Sequence, residues 1–182
     1  MLPIGPLMVE HRLIEKMVPL ILKETARAES KGDINFRFVE MAVDFIQTYA
    51  DRCHHGKEEG ILFRELAKKK LSFDHERNMN ELIEEHRTGR GIVKALAEHQ
   101  EFLRGGDPKS FSEVLGRLKE IANFYPGHIE KEDKHFFLPV MDYFSPSEKE
   151  ALLREEREFD GNFVHLVYKD RLAAAKSLIS AG

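Results

Sequence analysis

Apolar residues recur every three or four positions through most of this chain, which is the period of amphipathic α-helices. The first apolar stripe, made of Leu7, Ile14, Val18 and Ile21, predicts a helix over about residues 6–29. Similar stripes predict a second helix over about residues 34–69, a third over about 75–104 and a fourth that starts at Asp107 and Pro108. The chain therefore contains at least four long amphipathic helices.

A fifth helix is predicted from a signal at its N-terminus. Ser145 can act as the N-cap, Pro146 suits the first turn, and Glu148 is the glutamate of a capping box. These residues stand in the required order, so a helix is expected over about residues 147–179. This helix follows the other four and has no counterpart in them.

The predicted fold class is all-α. No stretch alternates Val, Ile or Thr with polar residues as a strand would, and the connections are only a few residues long. We therefore expect an up-down-up-down four-helix bundle over residues 1–141 with an additional C-terminal helix over residues 146–180. A length of 182 residues is enough for one sizeable core, so residues 1–182 are expected to form a single domain.

Histidine and glutamate interrupt the apolar stripes at matching places. His54 and Glu58 lie four residues apart on the second helix, and His128 and Glu132 repeat this pair 74 residues later on the fourth. Side chains at positions i and i+4 project from one face of a helix about one turn apart. One member of such a pair can bind a metal ion while the other reaches across to a second ion.

Two further histidines share this repeat. The tripeptide Glu-His-Arg around His11 recurs around His86, displaced by 75 residues. The chain therefore looks like a doubled helical hairpin, and each half carries one lone histidine followed by a His-x-x-x-Glu pair. Folding the two halves together about a twofold axis would gather four imidazoles and two carboxylates at one level of the bundle.

These six side chains are suited to a pair of metal ions. A histidine or an ionised glutamate in an apolar stripe costs several kcal/mol unless something satisfies it. Two divalent ions bring four positive charges against two from the glutamates, so a bridging oxo or hydroxo group is expected. Mixed nitrogen and oxygen ligands favour iron, manganese or zinc. We expect two non-haem iron ions because iron supplies redox chemistry, with manganese and zinc as alternatives.

In these residues the chain resembles hemerythrin-like proteins, in particular the bacterial group with two His-His-Glu type repeats, over roughly residues 1–141. The resemblance implies a four-helix bundle and a diiron site, as expected from the repeat. It implies six metal ligands, which are His11, His54, Glu58, His86, His128 and Glu132.

Two positions depart from the oxygen-carrying members of that group. Those proteins have a second histidine one turn after the lone histidine of the third helix, where this chain has Arg90, and they end the set with aspartate, where this chain has Glu132. The missing imidazole predicts a more symmetric site with both ions open, which argues against plain reversible oxygen carriage. His165 on the fifth helix and Glu15, one turn after His11, are candidates for an added ligand, although packing or solvent exposure is the commoner role for such residues.

Several neighbouring residues have open roles. Glu59 and Asp133, which are equivalent in the repeat, could orient the ligand imidazoles or belong to a solvated face. Tyr49 and Tyr125 are near enough in sequence to hydrogen-bond a bridging oxygen. The remaining polar candidates are expected to be surface or packing residues, and they are His55, His75, His99, His135 and the small core residue Cys53.

Composition excludes several classes of partner. Charged residues make up 33% of the chain with a net charge of −4 and mixed sign, which gives no basic face for nucleic acid or an anionic membrane. The single cysteine cannot form an internal disulfide, and the N-terminus shows no secretory leader. No apolar run approaches the roughly 20 residues needed to span a bilayer. A cytoplasmic location is expected.

Three functions of different class would share such a site. A binding module would sense O2, NO or peroxide and report through a separate protein partner. An enzyme would reduce NO or peroxide or repair iron-sulfur clusters, and an iron-handling protein would store or deliver the metal. No residue pattern decides whether the protein is an enzyme. The lack of a strong proton donor beside the ligands, apart from the two tyrosines and Glu15, favours binding and sensing.

Overall fold

This computed structural model describes residues 1–161 and 164–180. Every regular element in that part of the chain is helical, and no strand occurs there. The α-helices are α1 (Ile4–Lys31), α2 (Phe36–Asp44), α3 (Arg64–Leu66), α4 (Phe73–Arg104), α5 (Ser110–Glu130), α6 (Phe137–Val140), α7 (Pro146–Asp160) and α8 (Val164–Ser180), with a 3₁₀ turn at Met141–Tyr143. The predicted all-α fold class is confirmed as a helical bundle. None of the described helices combines the length and the apolar character needed to cross a bilayer.

Two of the four long helices widen from α to π geometry where they carry the predicted ligands. Phe45–His55 and Glu58–Phe63 are π-helical and lie between α2 and α3, and Lys131–Phe136 is π-helical between α5 and α6. A π-helix bonds each N–H five residues back, so consecutive side chains are separated by a smaller angle than the roughly 100° of an α-helix. His54 and His55 can therefore both face the interior.

The apolar core has two parts separated by polar side chains. On α1, Leu7 belongs to one buried cluster and Ile14 to the other, with His11 between them. On the other three long helices the predicted ligands also lie between residues of the two clusters. We call the level formed by the six predicted ligands the polar layer. It lies inside the bundle with apolar packing on both sides.

The predicted fifth helix is two helices. α7 ends at Asp160, Gly161 has φ 49° and ψ 142°, and α8 begins at Val164; the residues between Gly161 and Val164 lie outside the described part. The prediction of one continuous helix over 146–180 is therefore wrong. A positive φ cannot continue a right-handed helix, and glycine adopts it without a Cβ clash. The amphipathic pattern on both sides of the glycine hid this break.

α7 and α8 pack against the outside of the bundle. Tyr168 and Leu172 of α8 join the larger core cluster, and Leu152 of α7 joins the smaller one. α7 comes close to the second long helix at Gly56, where an added Cβ would stand only 3.0 Å from Cζ of Phe159. Glycine at this position therefore permits the close approach of α7 to the helix that carries His54 and Glu58.

The start of α7 has the capping box that the sequence predicts. The Ser145 hydroxyl accepts from the Glu148 N–H at 3.3 Å, and the Glu148 carboxylate accepts from the Ser145 N–H at 2.8 Å. The third long helix also begins at a serine N-cap, Ser72, whose hydroxyl accepts from the His75 N–H at 3.3 Å. These bonds satisfy backbone donors that have no partner within the first turn.

Removal of the Ser145 cap should weaken the attachment of α7. Ser145→Ala is expected to lower the free energy of unfolding by about 1 kcal/mol, or the thermal midpoint by about 2–4 °C. Ser177→Ala, which deletes the hydroxyl of an exposed serine inside α8, should leave the midpoint unchanged or slightly raised because alanine favours a helix interior. Equal midpoints for both variants, measured by circular dichroism, would contradict a stabilising role for the cap.

Candidate metal centre

All six predicted ligands lie together in the polar layer and are buried. Each is at most 3% exposed. They come from four helices: His11 from α1, His86 from α4, and the two His-x-x-x-Glu pairs from the second and fourth long helices, at or next to the π-helical segments. Side chains that are far apart in the sequence but equivalent in its repeat therefore lie close together in the bundle.

The two glutamates occupy the middle of this layer. Oε1 of Glu58 lies 3.2 Å from Nε2 of His54, and its Oε2 lies 3.3 Å from Nε2 of His86. Oε2 of Glu132 lies 3.1 Å from Nε2 of His11 and 3.5 Å from Nε2 of His128. Each carboxylate therefore faces one imidazole from each half of the repeat.

A carboxylate from a neighbouring helix binds the other nitrogen of each imidazole. The four Nδ1 contacts are His11 to Asp133 at 2.7 Å, His54 to Glu10 at 2.8 Å, His86 to Glu59 at 2.7 Å and His128 to Glu85 at 2.8 Å. We call these four acidic residues the outer carboxylates. When Nδ1–H donates to an outer carboxylate, the lone pair of Nε2 is left pointing into the polar layer.

Two of the outer carboxylates are candidates from the sequence and two are not. Glu59 and Asp133 each bond a ligand imidazole, as an orienting role requires, so they do not belong to a purely solvated face. Glu10 and Glu85 were missed because each binds a histidine about 43 residues away along the chain. A signal was present, since both are the first residue of the repeated Glu-His-Arg tripeptide.

Basic side chains support the outer carboxylates. The ammonium of Lys57 donates to Glu10, and Lys131, at the equivalent position of the repeat, donates to Glu85. Arg12 donates to Asp133. These contacts fix three of the outer carboxylates in place, so that each accepts from its imidazole.

The other candidate ligands lie outside the polar layer. His165 bonds Asp160 through Nε2 at 3.1 Å and the Tyr49 hydroxyl through Nδ1 at 3.0 Å. Glu15 is 42% exposed and lies 3.3 Å from Arg12. Tyr49 therefore contacts His165 and does not point at the glutamates. Burial raises the pKa of Tyr49, so its phenol stays protonated.

Arg90 and His55 lie together beside the polar layer. Arg90 donates to Asp51 and to Glu59, each at 2.7 Å. His55, which was expected at the surface or in packing, is only 2% exposed. Its ligand nitrogen lies within 4.8 Å of those of His86 and His128. The π geometry of Phe45–His55 brings His55 beside the layer, and the sequence pattern does not mark it.

The donor atoms of the layer fit a pair of metal ions. Nε2 of each of the four imidazoles and all four carboxylate oxygens are buried and have no hydrogen-bond partner among residues 1–161 and 164–180. An orphaned buried polar atom costs about 1–3 kcal/mol, more if charged. Ligand atoms of His11, His54, Glu58 and Glu132 lie within 4.8 Å of one another, so this group could hold a cation.

Protons neutralise the layer when no cation is bound. Burial alone would lower the pKa of His54, but the charge of Glu58 and the bond to Glu10 outweigh it and raise that pKa to about 10. Burial likewise opposes protonation of His86, but the nearby carboxylates of Glu132 and Glu58 outweigh it and raise that pKa to about 11. The same imidazoles hold the pKa of Glu58 well below its usual value, against the effect of its burial. Metal binding must therefore release protons.

The metal-free protein should lose stability in alkali. The pKa of His54 is about 10 in the fold and 6.5 without it, so this contribution is fully present below about pH 6.5 and is lost as the pH rises through about 10. The thermal midpoint of the metal-free protein should fall by several degrees between pH 6.5 and 9.5, whereas that of the iron-loaded protein should change little over this range. A metal-free midpoint that stays constant would contradict the protonated layer.

Comparison with known proteins identifies the kind of domain to which this centre belongs. The family model described as hemerythrin HHE cation binding domain matches residues 2–138, well over half of the chain. The matched range includes all six residues of the polar layer and stops before α7. A search of curated proteins and a search of solved structures each found no match. The chain belongs to the hemerythrin HHE cation binding domain family.

Proposed function

We propose that this protein is a non-haem diiron protein that binds or senses O2, NO or peroxide. The single observation that supports it most is the set of eight buried nitrogen and oxygen atoms that converge in the polar layer and make no hydrogen bond to the described residues. The proposed metal ligands are His11, His54, Glu58, His86, His128 and Glu132. We further propose that His11 and His54 hold one ion and that His86 and His128 hold the other, with both glutamates shared.

An up-down-up-down bundle is the arrangement that best explains the layer. Along α1 and α4 the chain passes from the smaller core cluster through the polar layer to the larger one, and along the second and fourth long helices it passes in the opposite order. Short connections join consecutive helices. We propose residues 1–182 as one domain, with α7 and α8 appended to the bundle of residues 1–141.

Iron is the proposed metal, with manganese or zinc as alternatives. Four imidazole nitrogens and two carboxylates form a mixed donor set that suits these ions better than calcium or magnesium. Two divalent ions exceed the charge of the two glutamates, which supports a bridging oxo or hydroxo group. Iron in this position would supply a redox-active pair with open coordination positions for a small ligand.

The chain around the layer is built to position ligands and exclude water. The ring of Phe137 stacks on His11 with centroids 5.6 Å apart, that of Phe63 lies 6.0 Å from His86, and that of Phe124 lies 5.1 Å from His128. These apolar walls shield the imidazoles, while the outer carboxylates fix their orientation. A dry, preorganised site of this kind suits a small uncharged ligand.

Binding and sensing is favoured over turnover and over iron delivery. Burial raises the pKa of Tyr125 beside the layer, which makes its phenol a poor acid for reactions that need protons. The six proposed ligands are almost completely buried, which favours ions that stay in place over ions that are handed on. We propose a cytoplasmic protein that reports ligand binding to a separate protein partner.

Loss of one proposed ligand should remove metal and stability together. His54→Ala and Glu132→Ala are each expected to lower iron content per chain to less than about half and to lower the thermal midpoint of the iron-treated protein, because metal binding stabilises the fold. His135→Ala is the matched control, since His135 is an exposed histidine on the same helix as Glu132. Iron contents equal to wild type in both ligand variants, measured by elemental analysis, would refute the assignment.

Optical spectra should distinguish the three functions. The reduced, iron-loaded protein is mixed in turn with O2, NO and peroxide in the absence of air. A stable adduct with at least one of them, reversed when the gas is removed, is the result expected for binding and sensing. Continuous consumption of NO or peroxide would contradict it in favour of an enzyme. Transfer of iron to a weak chelator without an adduct would favour iron delivery.

A further inference from the structure

His55 is a buried imidazole with both ring nitrogens unsatisfied. It is 2% exposed, and neither Nδ1 nor Nε2 has a hydrogen-bond partner within the part of the chain that the structure describes. The imidazoles of His54 and His86 differ, because an outer carboxylate satisfies Nδ1 in each. A buried side chain with two orphaned nitrogens is costly unless something outside the protein binds it.

The position of His55 indicates what that partner is. Its ligand nitrogen and those of His86 and His128 all lie within 4.8 Å of one another. Its ring centroid is 3.9 Å from that of His86 and 5.5 Å from that of His128. In an α-helix, adjacent side chains diverge by about 100°. The π geometry of Phe45–His55 brings His55 to the same side as His54.

An acidic residue also stands on the Nδ1 side of His55. Oδ1 of Asp51 lies 3.5 Å from that nitrogen, farther than the 2.7 and 2.8 Å at which Asp133 and Glu10 contact their imidazoles. Arg90 donates to Asp51 and also to Glu59, the outer carboxylate of His86. Arg90 therefore fixes the acidic groups behind both His55 and His86. With Nδ1 facing Asp51, Nε2 of His55 is the nitrogen free to bind a metal.

We propose that His55 is a seventh metal ligand, which gives the ion at His86 and His128 a third imidazole. This inference rests on the diiron centre proposed above. The His55 ring now lies flat on His86, with 13° between the planes, so coordination requires rotation about its Cβ–Cγ bond. A cavity of about 430 Å³, lined by His55, Arg90 and Tyr125 among others, gives room for that rotation.

A seventh ligand makes the two ions unequal. The ion at His86 and His128 receives three imidazoles and the ion at His11 and His54 receives two, while both share the glutamates. If each ion has about six coordination positions, the ion at His11 and His54 keeps more of them open. The small ligand then binds at the ion of His11 and His54. The symmetric site expected from Arg90 is replaced by an asymmetric one, with the extra imidazole coming from the second helix.

Iron retention in His55 variants tests the inference. Wild type and each variant are loaded with iron(II) without air and dialysed against a competing chelator, and iron per chain is measured. His55→Phe keeps a flat ring against His86 but has no nitrogen, and it should retain one tightly bound iron while the affinity for the other falls at least about tenfold. Ile129→Val changes packing at the equivalent position of the other half and is the control that should retain both ions.

Rescue of His55→Ala separates coordination from packing. Free imidazole can enter through the adjacent cavity and should restore the second iron, whereas pyrrole, a ring of the same size without a basic nitrogen, should not. Equal rescue by both rings, or two retained ions in His55→Phe, would overturn the inference and leave the diiron centre intact. A wild-type protein that retains fewer than two ions would overturn both proposals.

Discussion

The fold depends on neutralising two carboxylates that are buried side by side. Glu58 and Glu132 are both fully buried in the centre of the bundle, and each raises the cost of ionising the other. Around them the side chains alternate in charge with distance from the centre. The imidazoles come first, then the outer carboxylates, then the cations Lys57, Lys131 and Arg12. Each set stabilises the next one inward. The centre of this arrangement still lacks positive charge unless protons or metal ions supply it.

Much of this arrangement can be predicted from the sequence because the two halves of the chain carry the same pattern of ligand residues. The repeated His-x-x-x-Glu pairs and the two lone histidines predict which residues meet, since equal spacing along two helical repeats brings equivalent residues to the same depth. The cap at Ser145 is a local signal and was found in the same way. Features defined by spacing or by adjacent residues were therefore accessible without coordinates.

The features that escaped prediction depend on geometry that spacing does not encode. His55 lies beside the layer because the π geometry of Phe45–His55 brings it to the side of His54, and nothing in the sequence predicts that geometry. Glu10 binds a histidine on another helix, so its role follows from packing. The break at Gly161 was hidden because single glycines also occur inside continuous helices of this protein, as at Gly56.

The buried lysine at position 57 has a consequence that reaches beyond the bundle. Its ammonium, which is fully buried, donates both to Glu10 and to Asp160 at the end of α7, and Glu10 in turn accepts from His54. Displacement of α7 would remove one of the two anions that share this ammonium and would change how strongly Glu10 polarises its imidazole. Coupling between two binding sites is reciprocal. If a protein that binds α7 changes the affinity of His54 for a metal, then occupancy of that metal site changes the affinity of α7 for the protein by the same factor.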